Sequence, residues 1–153
     1  MGEDDGRWLA AAIDQARQGL SEGGVPVGAA LVVDGELIAT GRNRRVQLGS
    51  AIRHGETDCL ERAGRLPASS YARATMYTTL SPCDMCAGAI LLYGIPRVVM
   101  GENSTYTGAE DLLRARGVEL VNLRSRACED LMAEFIRRFP DVWNEDIGRN
   151  ANE

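Results

Sequence analysis

The sequence predicts an α/β fold, a three-layer α/β/α sandwich around a central mixed sheet of about five strands. Three observations carry that prediction. Two strand-like runs meet at the dipeptide Asp34-Gly35, which reads as a tight hairpin. Beyond the hairpin, helical and strand patterns alternate along the chain, as in α/β proteins. The 153 residues are enough for one domain with a sizeable core, and no repeat, low-complexity stretch or linker divides them, so a single domain over 1–153 is expected.

The elements follow in order. Leu9, Ile13, Ala16 and Leu20 recur at helical spacing and mark an amphipathic first helix that ends at Glu22-Gly23-Gly24. Residues 29–33 and 36–40 are strand-like, and Asp-Gly between them suits a type I′ turn, which needs positive φ at both central positions. A helix is expected from about His54 to Ala63, with Gly64 as its stop. A strand over 75–79 precedes a helix that starts near Ser81-Pro82, proline being tolerated at a first helical position. The run Ala87-Gly88-Ala89-Ile90-Leu91-Leu92-Tyr93 in that helix is apolar nearly all round, so burial on more than one side is expected. A second copy of the chain would supply the extra cover, hence an expected homodimer. Strand 97–100, helix 109–116, strand 119–123 and a long helix over 126–139 complete the alternation. Cys128, Leu131, Met132, Phe135, Ile136 and Phe139 form the apolar stripe of that last helix. Residues 144–153 are polar and expected to fray, except where Trp143 and Ile147 anchor them.

Charge and composition exclude several classes of partner. With 17 basic against 22 acidic residues the net charge is −5, whereas polynucleotide binding leaves a basic footprint. The cluster Arg42, Arg44, Arg45 is local and reads as a solvated loop. The opening Met1-Gly2-Glu3-Asp4-Asp5-Gly6 is acidic, unlike a secretory signal, and Gly6 stands where myristoylation wants Ser or Thr. The apolar run 87–93 falls far short of the roughly 18–20 residues that span a bilayer. A soluble, cytoplasmic protein without a membrane partner is expected, and its four cysteines do not suggest a disulfide framework.

The chemistry lies in two short segments. The one histidine of the chain sits in His54-Gly55-Glu56, and Pro82-Cys83-Asp84-Met85-Cys86 follows further on. A lone histidine is commonly a core or surface residue, and a lone CxxC can be a redox pair or half of a zinc ribbon. A ribbon needs a second CxxC, which is missing. Cys59 lies five residues beyond His54 and so off its helical face, and Cys128 belongs to an apolar stripe; both read as buried hydrophobes. That leaves three good ligands, His54, Cys83 and Cys86, with Glu56 free beside them. Structural zinc sites close with four protein ligands, whereas hydrolytic ones keep a position open for water. Cys83 and Cys86, three apart, share one helical face near a positive helix end, which favours thiolates. His54 and Glu56 can converge only if they straddle the start of a helix.

The pairing H-x-E with P-C-x-x-C matches the signature of zinc nucleobase deaminases. Gly23-Gly24-Val25-Pro26-Val27-Gly28, Thr78 through Ile90, Tyr93-Gly94-Ile95-Pro96-Arg97, Gly101-Glu102-Asn103 and Trp143-Asn144-Glu145-Asp146-Ile147-Gly148 resemble the fungal cytosine deaminases over nearly the whole chain. Cytidine deaminases usually carry Cys in the first motif, and tRNA adenosine and guanine deaminases usually read His-Ala-Glu, so these families are weaker matches. The resemblance implies a cytidine deaminase-like fold and zinc held by His54, Cys83 and Cys86. It implies a free cytosine-like base as the small-molecule substrate, hydrolysed with loss of ammonia, and Glu56 as the proton shuttle. It further implies that Asn43, the Gly55 N–H and the Ser81 carbonyl read the base, that Asp146 accepts from its amine, and that Val27, Tyr106 and Trp143 wall the ring.

The residues themselves leave plainer roles open: Asn43 as a strand-end turn residue, Trp143 as a cap on the core, Glu56 as a first-turn helix acid. Two departures from the resembled family bear on substrate. Tyr106 stands where those enzymes carry Phe, and Arg53 replaces an apolar neighbour of the metal histidine. The phenol points to more polar rings such as 5-azacytosine, isocytosine or aminated triazines. The competing functions are a guanine or other purine-base deaminase and a zinc-stabilised binding protein without chemistry.

Overall fold

The structure is a computed structural model describing Gly2 and residues 4–150. β1 (Gly28–Val33) and β2 (Glu36–Arg42) pair antiparallel, and between them Asp34 and Gly35 hold φ at 51° and 75°, the positive values a type I′ turn requires. β3 (Ala74–Thr78) pairs antiparallel with the other side of β1, while β4 (Arg97–Met100) and β5 (Glu119–Asn122) add in parallel. The resulting order is β2-β1-β3-β4-β5, the mixed five-stranded sheet expected.

Eight helices accompany the sheet among the described residues: α1 (Asp5–Ser21), α2 (Arg45–Leu48), α3 (Gly55–Ala63), α4 (Ala68–Tyr71), α5 (Asp84–Leu92), α6 (Glu110–Ala115), α7 (Arg126–Arg138) and α8 (Pro140–Asp146). The period-2 alternation of β1 divides them into two layers. Ala29, Leu31 and Val33 pack with Cys59 of α3, Ala87 and Ile90 of α5 and Leu113 of α6. Ala30 and Val32 face the other way, toward Trp8 of α1, whose Leu9 and Ala12 in turn meet Cys128 of α7. This is the three-layer sandwich. At the N-terminus Asp5 is buried, accepting from Tyr77 Oη at 2.7 Å and from Arg97 at 2.9 and 2.7 Å, which ties α1 to β3 and β4. No helix among the described residues is long and apolar enough to cross a membrane.

Several expectations are corrected. Leu9 and Ala16 are buried as expected, but the buried face of α1 also takes in Trp8, Ala12 and Gly19, while Leu20 is exposed. The reason is close approach: a Cβ at Gly28 would collide with the Ala12 carbonyl, so small residues face the sheet. The second motif helix begins at Asp84, with Cys83 as its N-cap, because Pro82 ends the preceding loop. Of the stretch expected to fray, 144–146 close a helix, α8, that starts at Pro140 and buries Trp143 and Asp146, 147–150 are non-helical, and 151–153 lie outside the described residues, as do Met1 and Glu3 of the opening segment. Within the last stripe, Phe139 is exposed.

The arginine cluster is not a solvated loop. Arg42 pairs with Glu22 at 2.9 Å, Arg44 with the buried Asp58 at 2.6 Å and Arg45 with Glu145 at 2.7 Å. Finally, α5 is not covered all round within one chain. Cys86, Ala87 and Ile90 are buried, but Leu92 and Tyr93 on its outer side are 75% and 44% exposed, Tyr93 meeting the Tyr71 ring of α4 at 4.9 Å between centroids.

Candidate active site

Two helix N-termini meet at the end of the sheet. His54 is the N-cap of α3 with extended backbone (φ −73°, ψ 171°), so its side chain leaves the chain before the helix begins, and Glu56 follows on the first turn. This is the straddled helix start that lets the two converge. Its turn is fixed by Thr57, whose Oγ1 accepts from the His54 N–H at 2.9 Å. α5 repeats the arrangement: Cys83 is its extended N-cap and Cys86 sits one turn in. The positive ends of both helices favour negative side chains there.

His54 Nδ1 lies 3.3 Å from Cys83 Sγ and 3.7 Å from Cys86 Sγ, and the three donor atoms all lie within 4.8 Å of one another. Ordinary zinc bond lengths at a tetrahedral angle put N and S roughly 3.6 Å apart, so the set fits such an ion. The protons of the cluster are already shared out. The Cys83 thiol is held down to about 4, chiefly because it accepts from Cys86 and then from His54, and the Cys86 thiol is correspondingly pushed up. Burial works against a charged His54, but the Cys83 sulfur and Asp146 outweigh it and raise the imidazole to about 9. Binding a cation would release these protons. Among the described residues this is the one cluster suited to a metal, and it offers three ligands. Cys59 is elsewhere, donating to the Ala39 carbonyl at 3.4 Å, with its thiol pushed up to about 12 by burial. Cys128 is buried against α1.

Beside the cluster is a small space of about 20 Å³, room for about one water. Its apolar walls are Val27, Leu80, Tyr106, Trp143 and Ile147, with the Tyr106 and Trp143 rings edge-on at 5.6 Å. Its polar lining is Asn43, His54, Glu56, Ser81, Cys83 and Asp146. Burial pushes Glu56 up to about 7 and raises Asp146 as well. Asn43 is oriented at both ends: its Oδ1 accepts from the Arg45 N–H at 3.1 Å and its Nδ2 donates to Asp146 Oδ1 at 2.8 Å. Asp146 also braces the far side of the histidine, with its carbonyl 3.0 Å and its carboxylate 3.3 Å from His54 Nε2. Such a partner on the outer ring nitrogen fixes the orientation of a ligating imidazole.

The pocket thus gathers nearly every residue singled out in the sequence. Gly55 is the exception among the base-reading candidates: it does not line the space, and a Cβ there would stand 3.2 Å from Val27 Cγ1, so it serves close packing behind the wall. The Ser81 hydroxyl faces away, donating to Glu110 Oε2 at 2.6 Å and accepting from the Gly108 N–H at 2.9 Å. Arg53 turns from the pocket to Asp58 at 2.7 Å. Sequence reasoning missed Leu80 as a wall, although its place next to Ser81 was a signal, and took Ile147 only for an anchor.

The sequence matches the family described as the cytidine and deoxycytidylate deaminase zinc-binding region over residues 2–102. It is 55% identical over 146 residues to a cytosine deaminase of Candida albicans, covering 95% of this chain and 97% of that one. A solved tRNA:A34 deaminase superposes with a TM-score of 0.71 at 28% identity, over 82% of this chain and 98% of the other. The guanine deaminase of Nitrosomonas europaea shares the fold, with a TM-score of 0.69 at 23% identity over 88% and 85% of the two chains.

Proposed function

The chain belongs to the cytidine and deoxycytidylate deaminase zinc-binding family, and from that premise we propose that it hydrolyses a free cytosine-like base to the corresponding oxo base and ammonia. The observation that carries the choice of base is the Asn43–Asp146 pair. With its Oδ1 taken by Arg45 and one Nδ2 proton given to Asp146, Asn43 keeps one N–H for the pocket. Asp146 beside it is an acceptor. A donor next to an acceptor complements a ring that carries a carbonyl and an amino group, as cytosine does. The aromatic and aliphatic walls suit a planar ring.

His54, Cys83 and Cys86 would hold zinc, which when bound acidifies a coordinated water from a pKa of about 15.7 toward 7. The remaining chemistry falls to the chain. Glu56 takes a proton from the water and hands it to the ring nitrogen beside the amino-bearing carbon. The hydroxide so formed bonds to that carbon. Glu56 then carries the remaining hydroxyl proton to the amine, the C–N bond breaks, ammonia leaves and the added oxygen stays as the ring carbonyl. A carboxyl pushed up to about 7 by burial can hold and give up a proton near neutral pH. Asp146 accepts from the departing amine, and Tyr106 and Trp143 keep water off the ring. The Tyr106 phenol, in place of Phe, shifts preference toward aza-substituted and otherwise more polar rings.

The protein acts as a homodimer. Ile52, Leu92 and Tyr93 are 63%, 75% and 44% exposed, and they line one groove between α3 and α5 that a second copy would cover. The partner is a small base: a net charge of −5 opposes a polynucleotide, and the chain would work in the cytoplasm. A steady-state screen of cytosine, isocytosine, 5-azacytosine, guanine, cytidine and adenosine with the zinc-loaded protein tests the reading. Ammonia release fastest from cytosine-like free bases is expected; preference for guanine or a nucleoside, or no turnover of any of them, would overturn it.

A further inference from the structure

The space beside the metal cluster has room for about one water, too little for a heterocycle while α8 lies in place. Trp143, Asp146 and Ile147, from α8 and its C-terminal end, form the cover. What holds the outer side of that cover is Arg45. Its Nη1 and Nη2 donate to the two carboxylate oxygens of Glu145 at 2.7 and 2.9 Å, and Nη1 lies 3.5 Å from Asp146 Oδ1. Its Nε donates to the Ala51 carbonyl at 3.0 Å, which fixes the guanidinium to the loop after α2. The planar fork of arginine suits this bidentate pairing, and a lysine would lose one of its two bonds. Although Glu145 is 65% exposed, the Arg45 side chain is only 13% exposed. The same residue's backbone N–H orients Asn43, and Asn43 in turn holds Asp146.

We infer that Arg45 is a positioning residue: it latches α8 over the pocket through Glu145 while its main chain sets the Asn43 amide, so that closing the pocket and aligning its donor and acceptor are one event. The latch rests on the pocket being the base-binding site. It touches neither the ring nor the metal ligands. Opening for base and product then requires the Arg45–Glu145 pair to part, and the pair re-forms as the ring is gripped. A looser latch raises KM and leaves kcat unchanged or faster, because the reacting groups themselves are untouched.

Hydrogen exchange of the α8 amides in the zinc-loaded protein, read without any substrate, tests this directly. Glu145→Gln, at an exposed position that will not endanger folding, should speed exchange at residues 143–148 about threefold and raise KM for cytosine by a similar factor. Arg45→Lys, which keeps the charge beside Asp146 but not the two-pronged pairing, should act like Glu145→Gln on both readouts, and Arg45→Gln, which also gives up Asp146 and Ala51, should exceed it. Unchanged α8 exchange in Glu145→Gln, or a fall in kcat at constant KM, would overturn the latch. The two readings separate cleanly. Faster α8 exchange in a protein that turns over no free base removes the base-binding reading alone, whereas normal turnover with α8 exchange unmoved removes the latch alone.

Discussion

Replacing Glu56 by Gln removes a carboxyl from a site with no substitute for it. Glu56 is 3% exposed, the space before it holds about one water, and the second side-chain carboxyl lining that space, Asp146, is engaged by Asn43. Gln preserves the shape and can hydrogen-bond, but it cannot accept the water proton. General acid–base catalysis contributes typically 10²–10⁴ per transfer, and Glu56 is asked to make two, so turnover should fall by about 10⁴ or more, roughly 5.5 kcal/mol of barrier. The ligand set is intact, so zinc content should not change. The metal-free fold should become more stable. A carboxyl at about 7 in the folded chain against its ordinary 4.5 binds a proton more tightly folded than unfolded, so its contribution is retained below 4.5 and lost as pH rises toward 7. At 1.36 kcal/mol per pH unit that loss is about 3 kcal/mol, and Glu56→Gln should recover it at pH 8. Ammonia release, zinc analysis and denaturant unfolding of the chelated protein read the three effects. A variant within tenfold of wild-type turnover would refute the reasoning.

Other expectations follow from the same geometry. Asp146→Asn sets an amide against both Asn43 Nδ2 and His54 Nε2, removing a charged acceptor from the base and a brace from the ligand. A loss of roughly 10–100-fold in kcat/KM with weaker zinc retention is expected, read by steady-state kinetics and competition with a chelator. Tyr106→Phe should lower the ratio of kcat/KM for 5-azacytosine over cytosine by about threefold, the worth of one neutral hydrogen bond; an unchanged ratio would remove the phenol from substrate choice. Asp5→Asn tests the N-terminal tie. Arg97 first, opposed by burial and helped by Tyr77, holds the Asp5 carboxyl down to about 2 from 3.8, so its stabilisation is present above 3.8 and lost as pH falls through about 2. With partial screening at Arg97, thermal unfolding at pH 7 should drop by the equivalent of about 1–2 kcal/mol, and the difference should vanish near pH 2.

What the sequence made legible was what local rules decide. Asp34-Gly35 imposes its turn on any strands beside it, and the strand–helix alternation follows from hydrophobic period, so the sheet and its two helical layers were readable. The metal triad was readable because spacing on two helix starts is a local property. The misses arise where long-range pairing decides. α8 looks polar and loose on its own; it is ordered because Trp143 enters a small core with Val25, Val27 and Phe135 and because Asp146 and Glu145 find partners about a hundred residues away. Arg42, Arg44 and Arg45 looked like a solvated run for the same reason: their partners Glu22, Asp58 and Glu145 come from three different segments. The burial of α1 through small residues was hidden because ranking by apolar size passes over Ala12 and Ala16, whereas the close approach of Gly28 on β1 requires them.

The proposed chemistry requires zinc on His54, Cys83 and Cys86 beside Glu56 and a free base as substrate. The most direct measurement follows uracil and ammonia formation from cytosine while zinc is removed by a chelator and restored. One zinc per chain, activity lost with the metal and regained on its return, with cytidine left untouched, is the predicted result. Full activity in a metal-free preparation, or a zinc-replete protein that leaves cytosine and its aza analogue unchanged, would contradict it.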